Sequence, residues 1–285
     1  MRFVDGLMRH LTQWKGWYAI LAAVSVVLGS VVGMLPTLLA PSGEDGTTPG
    51  FIGFLATSVP MVALAALALI FVRIASGRWP TVEDLGLRPG LSGRHLLVIT
   101  ATFIVTHLVF WLLGRGGPST EAQAVSMFNE MGLGKPGSAA LGAVISVAVL
   151  APVCEELLYR GVMLRSLHDA IARRGRMVWA VLVSVAVSAV MFAMPRIGDA
   201  TSVQVSAAFL LTGIAFSLVY VVTGSLTAAM VSHALQSCFA WGQVLLLGHG
   251  DADVPLLYYV IVFGCPVWTW LCAVALWQLL PKSTG

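Results

Sequence analysis

Two adjacent carboxylates and an arginine, Glu155, Glu156 and Arg160, stand inside the apolar stretch APVCEELLYRGVMLRSL at residues 151–167. A charged side chain at bilayer depth costs at least about 2.5 kcal/mol on insertion scales, so three together mark a candidate functional site. On a helix Glu156 and Arg160 are four residues apart and share a face, whereas Glu155 is turned away by roughly 100°. That division assigns Arg160 to hold Glu156 ionised as structure and leaves Glu155 for a reaction. A glutamate kept in a low-dielectric cavity is suited to serve as a general base. A purely structural ion-pair cluster is the plainer reading of the same residues.

Two further patches interrupt apolar runs. His233 lies in SLTAAMVSHALQSCFAWGQ, followed by Gln236 and Ser237. Ser237 is four residues on, so its hydroxyl shares a face with the imidazole, and the pair could donate hydrogen bonds to a developing oxyanion. A membrane histidine also serves as an ordinary interhelical hydrogen bonder. The third patch is FAMPR, Phe192 to Arg196, with Asp199 beyond it. Arg196 at the end of a span is equally suited to snorkel to lipid headgroups.

The elements that must position these groups are membrane helices. The chain has 285 residues, 58% hydrophobic and 10% charged, with a mean hydropathy of +0.89, which excludes an ordinary soluble globular protein. Apolar runs of transmembrane length fall near 18–40, 51–75, 95–114, 139–160, 177–196, 204–223, 225–248 and 255–280. The fourth keeps a helical pattern to about residue 170 and ends in basic residues. Eight spans leave only Arg115, Lys135 and Arg196 of the sixteen Lys and Arg residues on one side, so the positive-inside rule places both termini in the cytoplasm and the chain in the plasma membrane. The net charge of +3 is sorted by side and argues for topology, not for a nucleic-acid partner. Residues 1–17 read as an interfacial amphipathic helix rather than a cleaved signal peptide, and 18–280 as one transmembrane domain. The linker 77–94 reads as ordered cytoplasmic turn structure, and the outer loop 116–139 should hold a short helix at AQAVSMFNEMG, lying on the membrane surface. Cys154, Cys238, Cys265 and Cys272 all lie in apolar segments and read as small hydrophobes. There is no internal repeat, phosphate loop or dinucleotide fingerprint.

Together EELLYRG, the DLGLRP loop before the third span and TGIAFSLVYVVTGSLTAAMVSHALQS resemble the CAAX-protease and bacteriocin-processing (CPBP, or Abi) family of intramembrane proteases, over roughly residues 80–245. The family pattern is Glu-Glu-x-x-x-Arg on one helix, Phe-x-x-x-His on the next and His-x-x-x-Asn (or Asp) on a later one. The resemblance implies Glu155 as the water-activating base, Glu156 and Arg160 as its support and His233 as an oxyanion donor. Two positions depart from the pattern: Arg196 stands where the second motif has its histidine, and Ser237 where the third has its asparagine. A guanidinium is always charged and only donates, so Arg196 in reach of Glu155 would make an inert ion pair. Ser237 still donates, with shorter reach, and Pro195 can redirect the helix end. His107 and His168 are the candidates to replace the absent imidazole.

The expected protein is therefore all-α, an eight-span membrane protein with a site from its fourth, fifth and seventh spans. Its expected activity is intramembrane endopeptidase-like, with Glu155 as base and Arg196 impairing it. The alternative is a non-catalytic scaffold or regulator that binds a membrane or cell-envelope partner, so whether it is an enzyme stays open. Expected partners are membrane lipid and a peptide or membrane-protein substrate or partner. No cofactor is expected, although Glu155, Glu156 and His233 could in principle hold zinc, against the competing charge of Arg196. A small-molecule transporter would want broken helices repeated in matching halves, which this sequence lacks.

Overall fold

Apolar segments in lipid must satisfy their own backbone, which leaves the helix as the economical solution for this sequence. The computed structural model describes residues 14–39, 50–112, 121–134, 137–197, 203–250 and 252–283, and every regular element among them is helical. In chain order these are α1 (Tyr18–Leu39), α2 (Gly50–Ser76), the one-turn α3 (Val82–Leu85), α4 (Gly93–Leu112), α5 (Glu121–Glu130), α6 over 138–172, α7 (Met177–Ile197), α8 (Val203–Thr223), α9 (Leu226–Leu247) and α10 (Leu256–Leu279). The eight long helices coincide with the eight apolar runs of the sequence. Among the described residues, six segments are long and apolar enough to cross a membrane: Ser58–Ser76, Gly93–Leu112, Ala140–Ala172, Met177–Pro195, Ser206–Thr223 and Leu256–Leu279. In α1 only the shorter Tyr18–Val32 is apolar to that degree. The remaining long helix, α9, carries Ser232, His233, Gln236, Ser237 and Gln243.

The bundle is organised around α6. Its most apolar window is 72% buried, against 11% for α4, so α6 is enclosed by protein while α4 faces mainly outward. The sequence predicts α6 as a plain helix, but two stretches are π-helical, Ser146–Leu150 and Leu157–Leu164, on either side of the α-helical Ala151–Glu156. The first has a direct cause. Pro152 donates no hydrogen bond, and its ring crowds the carbonyl four residues back. The turn before it widens, and the Ala151 N–H bonds to Ser146 O, five residues back. The second begins immediately after Glu156, and there the Arg165 N–H reaches Arg160 O, again five back. Wide turns of this kind cluster at functional sites. The Ser188 hydroxyl of α7 donates to Tyr159 O at 3.1 Å, satisfying a carbonyl within the wide stretch.

Between α7 and α8 the helices touch backbone to backbone. A Cβ on Gly213 would lie 3.0 Å from Ala189 Cα and 3.1 Å from Ala189 O, so only glycine fits there. Ala193 on α7 and Ser217 on α8 continue the contact one turn on, the small-x-x-x-small pattern by which membrane helices pack closely where lipid supplies no hydrophobic drive between them.

The loop DLGLRP is an ordered plug. Thr81 and Asp84 form a reciprocal capping box over α3, and Gly86 ends it at φ +69. Gly86 O accepts the Leu226 N–H at 2.8 Å, Tyr220 Oη donates to Leu85 O at 2.9 Å, and Thr227 Oγ1 donates to Arg88 O. The loop thus satisfies the first turn of α9, the helix that carries His233. A β-carbon at Gly86 would meet Tyr220 Oη at 2.9 Å, so both φ and space call for glycine.

The short helix expected at AQAVSMFNEMG is α5. It buries Ala124 and Phe128 and packs at the far end of α9, where Ala124 O abuts Gly248. Of the amphipathic stretch expected over 1–17, only residues 14–17 lie among those described. Trp14 there is buried, and its carbonyl accepts a hydrogen bond from Arg173.

Candidate active site

The last α-helical turn of Ala151–Glu156 delivers both glutamates into the core, where Glu156 and Arg160 are fully buried and Glu155 is 5% exposed. Arg160 Nη1 donates to Glu156 Oε1 at 2.8 Å, the pair that four-residue spacing predicts. The other guanidinium nitrogen, Nη2, donates to Gly213 O at 2.7 Å, and Ser217 Oγ donates to the same carbonyl at 2.8 Å. The close approach of α8 at Gly213 is what puts that carbonyl in reach. Three rings surround the guanidinium carbon, Phe192 at 4.8 Å, Phe216 at 5.5 Å and Tyr159 at 5.9 Å. A buried guanidinium is tolerable here because it has a carboxylate, a carbonyl and aromatic faces together.

His233 comes from α9, 77 residues further along the chain, and its Nδ1 lies 2.9 Å from Glu156 Oε1. Beside an arginine Glu156 is a carboxylate and can only accept, so Nδ1 carries the proton and Nε2 is the working nitrogen. Phe216 stacks on the imidazole at 4.6 Å and 21°, and Phe192 meets it edge-on at 5.7 Å. Two rings and one carboxylate oxygen therefore determine the orientation of His233.

The other residues singled out by the sequence fall as follows. Ser237 is buried one turn beyond His233. The backbone of Arg196 forms the last turn of α7, one turn past Phe192, while its side chain and Asp199 lie outside the described residues. Pro195 is part of the helical run of α7 and is exposed there, so it does not end the helix. Neither substitute histidine joins the site residues described above. His107 Nδ1 is 2.9 Å from Phe103 O, and its ring packs on Phe103 and Phe239. His168 Nδ1 is 2.8 Å from Asp169 Oδ1, whose partner oxygen accepts from Arg165 Nε at 3.0 Å, a second buried ionic cluster a turn past the first. Among the described residues no three His, Cys, Asp or Glu side chains cluster as metal ligands.

Sequence reasoning did not foresee three features: the hydrogen bond from His233 to Glu156 in particular, the Phe216 stack and the Gly213 carbonyl. The only trace of them is the spacing of Gly213, Phe216 and Ser217 on one face of α8, which an apolar run disguises.

Comparison with known proteins accords with this arrangement. Neither the curated proteins nor the solved structures provide a match. Residues 137–239 match a family model described as "Rce1-like: Type II CAAX prenyl endopeptidase Rce1-like", a span that begins at the head of α6 and ends within α9, so it takes in all four site helices. The chain therefore carries, over residues 137–239, an Rce1-like CAAX-protease domain, in keeping with the CPBP/CAAX protease family.

Proposed function

We propose that this chain is a membrane-embedded endopeptidase in which Glu155 activates the hydrolytic water and the Glu156–Arg160 pair holds His233 in its working orientation. The observation that carries the reading is the bond from His233 to Glu156, which joins an imidazole and a carboxylate from distant segments inside a buried core. Such an arrangement is expensive to build unless it is used. In the proposed step the water oxygen attacks the scissile carbonyl carbon while its proton passes to the Glu155 carboxylate. That proton is then delivered to the leaving nitrogen as the C–N bond breaks. With Nδ1–H committed to Glu156, Nε2 of His233 accepts a hydrogen bond from the water in the neutral ring. When protonated it donates to the developing oxyanion, with Ser237 as a second donor. The reading uses no resident metal, since the Arg160 guanidinium already faces Glu156 as its cation. The substrate is a peptide at or near the bilayer, and no feature of the sequence points to a prenyl group. Reconstitution into liposomes with a peptide library, comparing wild type with Glu155→Gln, tests it.

A non-catalytic membrane scaffold is the second reading, and Arg196 at the position of the motif histidine favours it. The two readings part at one substitution. Arg196→His restores a ring that can share the water, so hydrolysis by the reconstituted protein should rise at least about tenfold, within the range of a positioned acid–base group. An Arg196→His protein no more active than wild type would tell against an impaired enzyme and for the scaffold.

We also propose eight crossings, with both termini in the cytoplasm, on the distribution of Lys and Arg between loops. A reporter fused after Gly285 should give a cytoplasmic signal, and a periplasmic one would reject this topology.

A further inference from the structure

A narrow crevice opens between α4, α8 and α9. Its walls include Thr102 and Thr106 from α4, Thr212 and Phe216 from α8, and Ser232 and Gln236 from α9. Five of these six side chains are polar, in helices whose other faces are apolar. Thr212 Oγ1 is satisfied locally by Ala208 O at 2.8 Å. The side chains of Thr102, Thr106, Ser232 and Gln236 make no such bond among the described residues, although Ser232 is only 4% exposed. Hydroxyl and amide groups left without partners away from water cost about 1–3 kcal/mol each, so the crevice is built for an occupant that forms hydrogen bonds.

The spacing points to the class of occupant. Thr102 and Thr106 are one helical turn apart on one wall, and Ser232 and Gln236 are one turn apart on the other. Four residues of helix rise about 6.0 Å. An extended peptide presents its N–H and C=O groups along each edge with a repeat of about 6.6 Å, two residues of strand. Two opposed pairs at nearly that repeat match both edges of one strand, whereas a single water could not span them. Position agrees with spacing. Ser232 and Gln236 flank His233 on α9, and Phe216, which forms part of the wall, is the ring stacked on that imidazole. Inside a bilayer an unwound peptide segment has no water to satisfy its backbone and needs such partners. The helix that closes the crevice, α4, is the least buried of the six candidate spans, so it is the wall best able to move outward.

We infer that this crevice is a peptide-binding subsite, which holds an extended substrate segment by its backbone through Thr102, Thr106, Ser232 and Gln236 and lays it alongside His233. The inference rests on the hydrolytic reading for the role of the site, but its test does not depend on cleavage. The probe is a synthetic peptide with a Leu/Ala membrane helix followed by a Val/Thr-rich segment carrying one benzophenone. It is reconstituted with the full chain bearing Glu155→Gln, and affinity and photo-crosslinking are both read. Thr102→Val combined with Thr106→Val should weaken probe binding about tenfold, the loss expected of two hydrogen bonds. Gln236→Leu should weaken it by a similar factor. Thr102→Ser with Thr106→Ser keeps the hydroxyls and should retain the affinity, which separates lost hydrogen bonds from a misfolded bundle. Val105→Ala, on the exposed side of α4, should change nothing. Crosslinks should fall on α4 and α9. Unchanged affinity in the Val and Leu variants, or crosslinks confined to lipid, would overturn the inference. If the wild type cleaves no peptide while the hydroxyl variants still lose the probe, the subsite stands and the hydrolytic reading falls. If cleavage depends on Glu155 while probe affinity is the same in every variant, the reverse holds.

Discussion

Glu155→Gln is expected to lower peptide hydrolysis by the reconstituted protein by about 10²–10⁴-fold, the usual contribution of a positioned general base. The amide has nearly the shape of the carboxyl but cannot take a proton from water, so the loss is chemical and not steric. Because Glu155 is 5% exposed and sits at the end of the Ala151–Glu156 turn, a smaller or apolar replacement would also disturb packing; Gln avoids that ambiguity. Thermal unfolding of the variant in detergent should stay close to wild type. Cleavage that survives the substitution would remove Glu155 from the mechanism and direct attention to Nε2 of His233 as the base. Cleavage lost in a folded variant would set aside the scaffold reading.

The second large effect is on stability. Arg160→Met should cost about 3–5 kcal/mol, because it leaves a buried carboxylate without its cation. Arg160 is fully buried and donates to Glu156 Oε1 and Gly213 O, so one substitution strands two acceptors. The remaining oxygen of Glu156, Oε2, already has no hydrogen-bond partner among the described residues, and so cannot absorb the loss. Methionine keeps most of the volume among Phe192, Phe216 and Tyr159, so the penalty is electrostatic. Pairing the change with Glu156→Gln removes the stranded charge and should recover more than half of the cost, a non-additivity that only groups in direct contact show. Additive losses in detergent unfolding would mean that the pair is not a unit.

Neither effect would hold without the wide turn that begins at Leu157. A continuous α-helix and a π-segment both allow Glu156 and Arg160 to meet, but each residue added to a turn rotates everything that follows. The Arg165–Asp169–His168 cluster is set on its own face by the Leu157–Leu164 stretch. Hydropathy and propensity do not register such a turn, since its residues LLYRGVML are ordinary helix formers. Pro152 is a local cause for the earlier wide turn, and Ser188 compensates a carbonyl of the later one from another helix. The first is readable from sequence in hindsight, while the second depends on α7 being beside α6.

The sequence by itself determined that the chain is all-helical, where its long helices begin and end, and that Glu155, Glu156 and Arg160 sit at bilayer depth. These follow from local quantities: an apolar run must be helical in lipid, and a four-residue interval brings a carboxylate and a guanidinium together on any helix. It also located His233 and the departure at Arg196, because motifs are read along the chain. Tertiary structure alone decided which glutamate His233 bonds, that Gly213 lends its carbonyl to Arg160, and that Phe216 orients the imidazole. Those contacts join residues from separate helices, and their geometry depends on how closely α7 and α8 approach at Ala189 and Gly213, a distance no helical period encodes.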